Sequence, residues 1–229
     1  MCGRYTHLYS WEELHRLMSL TVPGIPIENR YNVAPSQQAP VVRLHSEGKW
    51  RTELLRWGLV PSWAKDSKIA YKLINARSET IAVKPSFRSA FKARRCLIPA
   101  SGFYEWQKLQ TTKQKQAYYI RSKGDGPIVF AGLWERWKPP QNELIESYSI
   151  ITTNSNDLIR PLHDRMPVIL EPKSFEKWLE PDASPDELNS LLKPCSPELL
   201  RIYRVSSHVN SPKNDDAQCI QQEDSSNCS

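Results

Sequence analysis

Residues 96–106, Cys96-Leu97-Ile98-Pro99-Ala100-Ser101-Gly102-Phe103-Tyr104-Glu105-Trp106, set the expectation for the fold. Cys96–Pro99 reads as a strand, Ala100-Ser101-Gly102 as a turn of small residues, and Phe103–Trp106 as a second strand. The same grammar recurs to either side. Val41–Leu44 and Thr52–Trp57 are strand-like runs joined through Ser46-Glu47-Gly48-Lys49, and Tyr118–Arg121 and Ile128–Trp134 read as another hairpin around Gly124-Asp125-Gly126. Tyr148–Thr152 and Ile202–Val205 supply further strands. Strand follows strand with few helices between, so the expected class is α+β: a single domain of curved, mostly antiparallel β-sheets with peripheral helices.

Helices are few and marked by their caps. Ser10 with Glu13 forms a capping box, and Trp11, Leu14, Leu17 and Met18 then share one face, which predicts an amphipathic helix over 11–20. A short helix is expected at Phe87–Phe91 after Pro85, another at Ser174–Leu179, and a third from Ser184-Pro185, where Glu187 completes a capping box. Val22–Pro40 contains Pro23, Pro26, Pro35 and Pro40 and is expected to be extended and largely irregular; it includes the polar group Arg30-Tyr31-Asn32. Trp57–Trp63 has too many breakers for a helix and too many aromatics for an ordinary exposed loop. It is either packed or a stacking surface for bases. No repeat or linker divides the chain, so one domain over 2–222 is expected, with a polar, disordered tail over 223–229.

Composition narrows the class. The 229 residues include eight Trp and nine Tyr, enough for a substantial core, and the net charge of +6 favours an anionic partner such as nucleic acid without requiring one. The five cysteines form no CxxC pair and no zinc spacing with histidine, so neither a structural metal nor a cofactor is expected. The sequence shows no signal peptide and no apolar run approaching the ~20 residues of a membrane span. The expectation is an intracellular monomer in a reducing compartment, cytoplasmic or nucleoid-associated.

Chemistry is concentrated at the start of the chain. Cys2 follows the initiator Met1, and removal of Met1 gives one residue carrying both a free α-amine and a thiol, with pKa values of about 8 and about 8.5. This 1,2-aminothiol attacks an aldehyde to form an imine and then closes a thiazolidine, which an internal cysteine cannot do. Glu105, between Tyr104 and Trp106, is either a desolvated acid–base group or an outward strand carboxylate. His163 lies in a loop between Leu162 and Asp164-Arg165, a place for a functional or a merely solvated imidazole. Asn75 offers an amide for orienting a reactant, while Arg77 and Arg4 offer guanidinium groups suited to phosphate.

Taken together, Cys2-Gly3-Arg4, Arg30-Tyr31-Asn32-Val33-Ala34-Pro35, Trp57-Gly58-Leu59-Val60-Pro61, Asn75-Ala76-Arg77-Ser78-Glu79, Gly102-Phe103-Tyr104-Glu105-Trp106 and His163-Asp164-Arg165-Met166-Pro167 resemble the SOS-response-associated peptidase (SRAP) family. They occur in family order and, with Val205-Ser206 and Lys213-Asn214-Asp215-Asp216, span nearly the whole chain. The resemblance implies a protein that shields abasic sites in single-stranded DNA through a covalent link at Cys2, with abasic-site lyase and limited autopeptidase activity as further options. It implies Asn75, Glu105 and His163 as the polar active-site set and Arg4, Arg77 and Arg165 as DNA contacts; the Trp57–Trp63 loop, with Trp63, is the candidate support for unstacked bases. Glutamine amidotransferases with an N-terminal nucleophile also begin Met-Cys-Gly, and a non-covalent single-strand binder is a third reading.

Overall fold

The computed structural model describes residues 2–20, 27–109, 115–124, 126–139 and 143–223. In chain order, β1 (Tyr5–His7) leads to α1 (Trp11–Met18), then to β2 (Arg30–Val33), β3 (Gln38–Leu44), β4 (Trp50–Trp57) and β5 (Asn75–Arg77). A short α2 (Arg88–Ala93) precedes β6 (Arg95–Ala100), β7 (Gly102–Lys108), β8 (Lys115–Ser122), β9 (Ile128–Trp137) and β10 (Ile145–Asn154). The chain finishes with β11 (Arg165–Pro167), β12 (Ile169–Leu170), α3 (Phe175–Leu179), α4 (Pro185–Leu191) and β13 (Leu200–Val205). The fold is the expected α+β arrangement of mostly antiparallel sheets with helices outside them.

Two sheets share the work. One has the order β13-β8-β7-β1-β2; the other runs β11-β10-β4-β3-β6-β9-β12, and an additional β9–β10 pairing joins β10, β4, β3, β6 and β9 into a small closed barrel. Closure removes open edges from those five strands. The parallel pairs are β10 with β4 and β10 with β5.

Of the two expectations about turns in the middle of the chain, the turn between two strands at residues 100–102 forms, and the hairpin over 118–134 needs correction. Ala100-Ser101-Gly102 is a corner where the chain leaves the barrel (β6) for the open sheet (β7), and the segment from Ser122 to Ile128 is the return corner from β8 to β9. The expected 118–134 hairpin therefore does not form, because β8 pairs with β7 and β13 while β9 pairs with β6, β10 and β12. Asp125 itself lies outside the described residues. Gly102 is required at its corner: a Cβ there would stand 2.5 Å from the Tyr119 ring and 2.6 Å from the Ile120 carbonyl.

Val22–Pro40 is also more regular than its prolines suggest, since β2 and the first residues of β3 fall inside it; residues 21–26 lie outside the described ones. Pro40 enters β3 because it faces Leu54 of β4, and the pairing of β3 with β6 is at Val42–Leu97, away from the missing N–H. Helix α1 has its capping box but stops at Met18, where Ser19 turns left-handed at φ 49°. At the other end Gln222 bridges Val205, and the Glu223 amide donates to Arg204 at 3.0 Å. Glu223, which the expected tail included, is therefore tied to β13, and residues 224–229, with Cys228, lie outside the described residues.

The barrel interior is aromatic. Tyr5 lies edge-on to Trp57 at 5.2 Å and to Phe130 at 6.1 Å, Trp57 stacks with Tyr148 at 6.3 Å, and the Tyr5 and Tyr148 hydroxyls bond at 2.6 Å. Cys2 belongs to this same buried cluster. A second core lies between the barrel and the helices, where Leu14, Phe87, Phe91, Phe175 and Trp178 pack. None of the described helices is long and apolar enough to cross a membrane.

One polar side chain in this frame makes stability pH-dependent. His7 is 3 % exposed with Nδ1 unpartnered, and burial first, then the nearby Arg30, lowers its pKa to about 4. Between that value and about 6.5 the unfolded chain binds the proton and the folded chain does not, so stability is complete above pH 6.5 and falls as pH drops toward 4. The loss is on the order of 3 kcal/mol. Denaturant unfolding of the wild type and of His7→Phe across pH 4–7 checks this; the variant should show a flatter profile over that window.

Candidate active site

The site is assembled by strand register. In the β1–β7 pair Tyr5 faces Phe103 and Thr6 faces Gly102, and the Tyr104 amide donates to the Arg4 carbonyl at 3.0 Å. Each step toward the chain start is one step forward along β7, so residues 2 and 3 arrive alongside Glu105 and Trp106. Cys2 is fully buried there. Burial, then the Glu105 carboxylate, pushes its thiol far above the ordinary range, opposed by the charge of the amino terminus.

Asn75 opens β5, held parallel to β10 with Asn75 opposite Ile150. Its Nδ2 donates to the Cys2 carbonyl at 2.9 Å, and its Oδ1 is buried with no partner, an acceptor available beside the first residues. Glu105 is 2 % exposed; burial raises its pKa, while the positive charge of the amino terminus pulls it back. His163 precedes β11. Its Nδ1 lies 2.9 Å from the Arg165 amide and 2.7 Å from an Asp164 carboxylate oxygen. The two contacts require different protonation states: a neutral ring accepts the amide N–H, and a protonated ring donates to Asp164. Burial and the amino-terminal charge lower the pKa, and Asp164, 81 % exposed, opposes them through solvent, so the neutral ring with Nε2–H is the form at pH 7. The amino-terminal charge thus acts on Cys2, Glu105 and His163 alike. Cys2, Asn75, Glu105 and His163 converge at the start of the chain.

The arginines divide. Arg77, at the end of β5, is exposed, and among the described residues its guanidinium has no ion pair. Arg4 turns inward, donating to Asn32 Oδ1 at 2.9 Å, the Val209 carbonyl at 3.0 Å and the Asn210 carbonyl at 3.3 Å. Asn32 in turn donates to the carbonyls of Val209, Ser211 and Asn214, and the Asp215 carboxylate accepts from the Tyr31 and Asn32 amides and from Arg30. Arg30-Tyr31-Asn32, whose role the sequence leaves open, is therefore the clamp for residues 209–215. Arg165 is 5 % exposed and grips Glu79 bidentately at 2.6 and 2.9 Å while also donating to Asn154 and the Thr152 carbonyl. In this state its donors face protein, and a phosphate reaches them only in place of Glu79.

The aromatic loop splits as well. Trp57, Leu59 and Val60 are buried, with Gly58 at φ 111°, whereas Trp63 is 57 % exposed beside Pro85.

Sequence reasoning did not find the groove at the site. A cavity of about 510 Å³ is lined by His163, Leu162, Trp106, Gln107, Lys108 and Lys115, and a shallower one of about 430 Å³ continues past Trp106 and Lys115 to Arg4 and Asn210. The Trp106 indole is fixed by a 2.7 Å donation to Asn210 Oδ1. The signal was the pairing of Gly102–Lys108 with Lys115–Arg121, hidden because Tyr118–Arg121 was matched to the wrong strand. A larger cavity, about 560 Å³ beside His7, Arg30 and Pro40, is lined by none of the four converging residues.

One cluster of metal-ligating types lies elsewhere: donor atoms of His208, Asp216 and Cys219 fall within 4.8 Å of one another. His208 Nδ1 accepts from Asn214 Nδ2 at 3.2 Å, which places the ring hydrogen on Nε2, directed at the Asp216 carboxylate at 3.0 Å. The imidazole lone pair that a metal needs is therefore already engaged.

The barrel thus seats Cys2, the second residue of the chain, near a buried carboxylate, an amide and an imidazole. The chain belongs to the SOS response associated peptidase (SRAP) family, which it matches over residues 1–212. Among its relatives, "Abasic site processing protein YoqW" of Bacillus subtilis (strain 168) is 42 % identical over 224 residues, covering 96 % of this chain and 99 % of the relative. "Abasic site processing protein HMCES" of Rattus norvegicus is 34 % identical over 227 residues, covering 83 % of this chain and 64 % of the relative. A Bacteroides thetaiotaomicron protein of known crystal structure has the same fold, with a TM-score of 0.85 and 28 % identity over 97 % of this chain and 100 % of that one.

The electrostatics give a direct expectation. His163 should titrate below its ordinary value of 6.5, and Asp164→Asn, which removes the opposing negative charge, should lower it further. NMR of the ring against pH measures both; a rise in the variant contradicts the assignment.

Proposed function

We propose that this protein processes abasic sites in single-stranded DNA by linking itself to the ring-opened sugar through Cys2. The observation that carries the reading is the convergence at the amino terminus: Asn75 holds the Cys2 carbonyl, and Glu105 sits buried beside the same residue. The abasic-site processing named for relatives at 42 % and 34 % identity supports it.

Removal of Met1, by hydrolysis of its peptide bond, frees the Cys2 α-amine; limited autopeptidase activity belongs to the same proposal. The amine adds to the sugar aldehyde to give a carbinolamine. Glu105, its pKa raised by burial, is the group placed to give a proton to the departing hydroxyl, so that water leaves and an imine remains. The Cys2 sulfur then bonds the imine carbon while the thiol proton passes to the imine nitrogen, closing the thiazolidine. The competing lyase branch removes a proton from the sugar carbon next to the imine and expels the 3′ phosphate. His163 is the proton-transfer group suited to that branch, accepting at Nδ1 once the Arg165 amide is displaced from it, and rapid ring closure suppresses the branch. Asn75 orients the first residue, Arg77 holds a flanking phosphate, and Trp63 supports an unstacked base.

The reading is tested by intact-mass spectrometry after mixing with an abasic single strand. The expected result is a chain lacking Met1 and carrying the whole strand, heat-stable, and absent from Cys2→Ala. An undiminished adduct on Cys2→Ala would falsify the linking residue. Glu105→Gln should slow adduct formation by about 100-fold or more, read from single-turnover time courses.

A further inference from the structure

We propose that Lys108 and Lys115 form a phosphate-binding pair that carries the DNA strand along the groove leading away from His163. This rests on the reading of the protein as a single-strand binder, but not on its covalent step. Lys108 closes β7 and Lys115 opens β8, and the register sets them directly opposite each other. Both are exposed, and among the described residues neither has an ion pair. Like charges facing across an antiparallel pair weaken it. A hairpin that keeps two of them at one register position, with no carboxylate between, is built to be completed by an external anion.

The surroundings identify that anion as a chain. Lys115 lines both the cavity that reaches His163 and the one that reaches Arg4 and Asn210, and Trp106 forms a wall of each. The two cavities therefore adjoin at Trp106 and Lys115, along a cationic wall with a fixed indole beside it. A single compact anion fills one of them; a polyanion with unstacked bases fills both, its phosphates on the lysines and its bases toward the aromatic wall. The positive potential of Lys115 is felt at His163, which places the pair within electrostatic reach of the reacting sugar.

The experiment uses the full chain and a single strand with no abasic site, so that no covalent step contributes. Binding is followed by fluorescence anisotropy over a range of salt for the wild type, Lys108→Gln, Lys115→Gln, the double variant and Lys193→Gln, an exposed lysine outside the groove. Each groove substitution should reduce the steepness of log K against log salt by about 0.7, and the double variant by about 1.4, because each removes one phosphate contact. Thermal midpoints should stay level or rise as the like-charge contact is relieved. Unchanged slopes in the groove variants, or an equal change in Lys193→Gln, overturn the proposal. If the slopes change while no Cys2-dependent adduct forms on abasic DNA, the groove stands and the covalent reading falls. If the adduct forms while the slopes are unaltered, the covalent reading stands and the groove falls.

Discussion

The pairing of β1 with β7 is the constraint on which the rest depends. β1 is three residues long, yet it lies between β2 and β7 and sends Tyr5 into the barrel core. Because a strand alternates faces, a slip of one residue would bring Tyr5 out and turn the first residues away from Glu105. The Tyr5–Tyr148 hydroxyl bond resists such a slip, since separation would strand two buried hydroxyls in an aromatic cluster. Chemistry at the very start of a chain meets the ordinary fraying of termini. Here Cys2 is held against fraying by being a core residue.

Arginines that look like nucleic-acid contacts in the sequence serve first as internal braces. Arg4 ties the amino-terminal segment to Asn32 and to the carbonyls of residues 209 and 210, so that segment meets residues 209 and 210 at one clamp. Arg165 joins the two flanks of β10: its carboxylate partner Glu79 follows β5, which carries Asn75, and its backbone amide holds His163. The planar guanidinium suits both tasks, because it offers several donors in fixed directions to carbonyls and carboxylates. Loss of Glu79 would leave Arg165 a buried charge short of its carboxylate partner, whereas Glu79 itself is half-exposed.

The class of fold was legible in the spacing of strand-like runs and breakers, and the helices in their caps at Ser10 and Ser184. The connectivity was not. Ala100-Ser101-Gly102 and Gly124-Asp125-Gly126 look locally like hairpin turns, and nothing within ten residues distinguishes a hairpin from a corner between sheets; the distinction lies in partners such as Gly102 against Tyr119, distant in sequence. The four converging residues were legible because each is chemically conspicuous: a cysteine at position 2, a carboxylate among aromatics, an amide and a lone imidazole. Lys108 and Lys115 were invisible because they matter only through a register that the wrong strand match concealed. Arg4 and Arg165 show the converse limit, since residue type fixes what a guanidinium bonds but not whether solvent or protein supplies the acceptor.

The burial of Cys2 has a consequence for the protein between encounters with its target. Thiolates, not thiols, are attacked by peroxides and soft electrophiles, and at rest this sulfur is enclosed and held protonated. In the proposed reaction each chain captures one sugar and is used up, so a warhead that oxidised while idle would waste the molecule. The same wall of protein that makes the sulfur a poor nucleophile in isolation is its shelf life: on the proposed reading the reagent stays dormant until an aldehyde, delivered at the amine next to it, brings the electrophilic carbon inside.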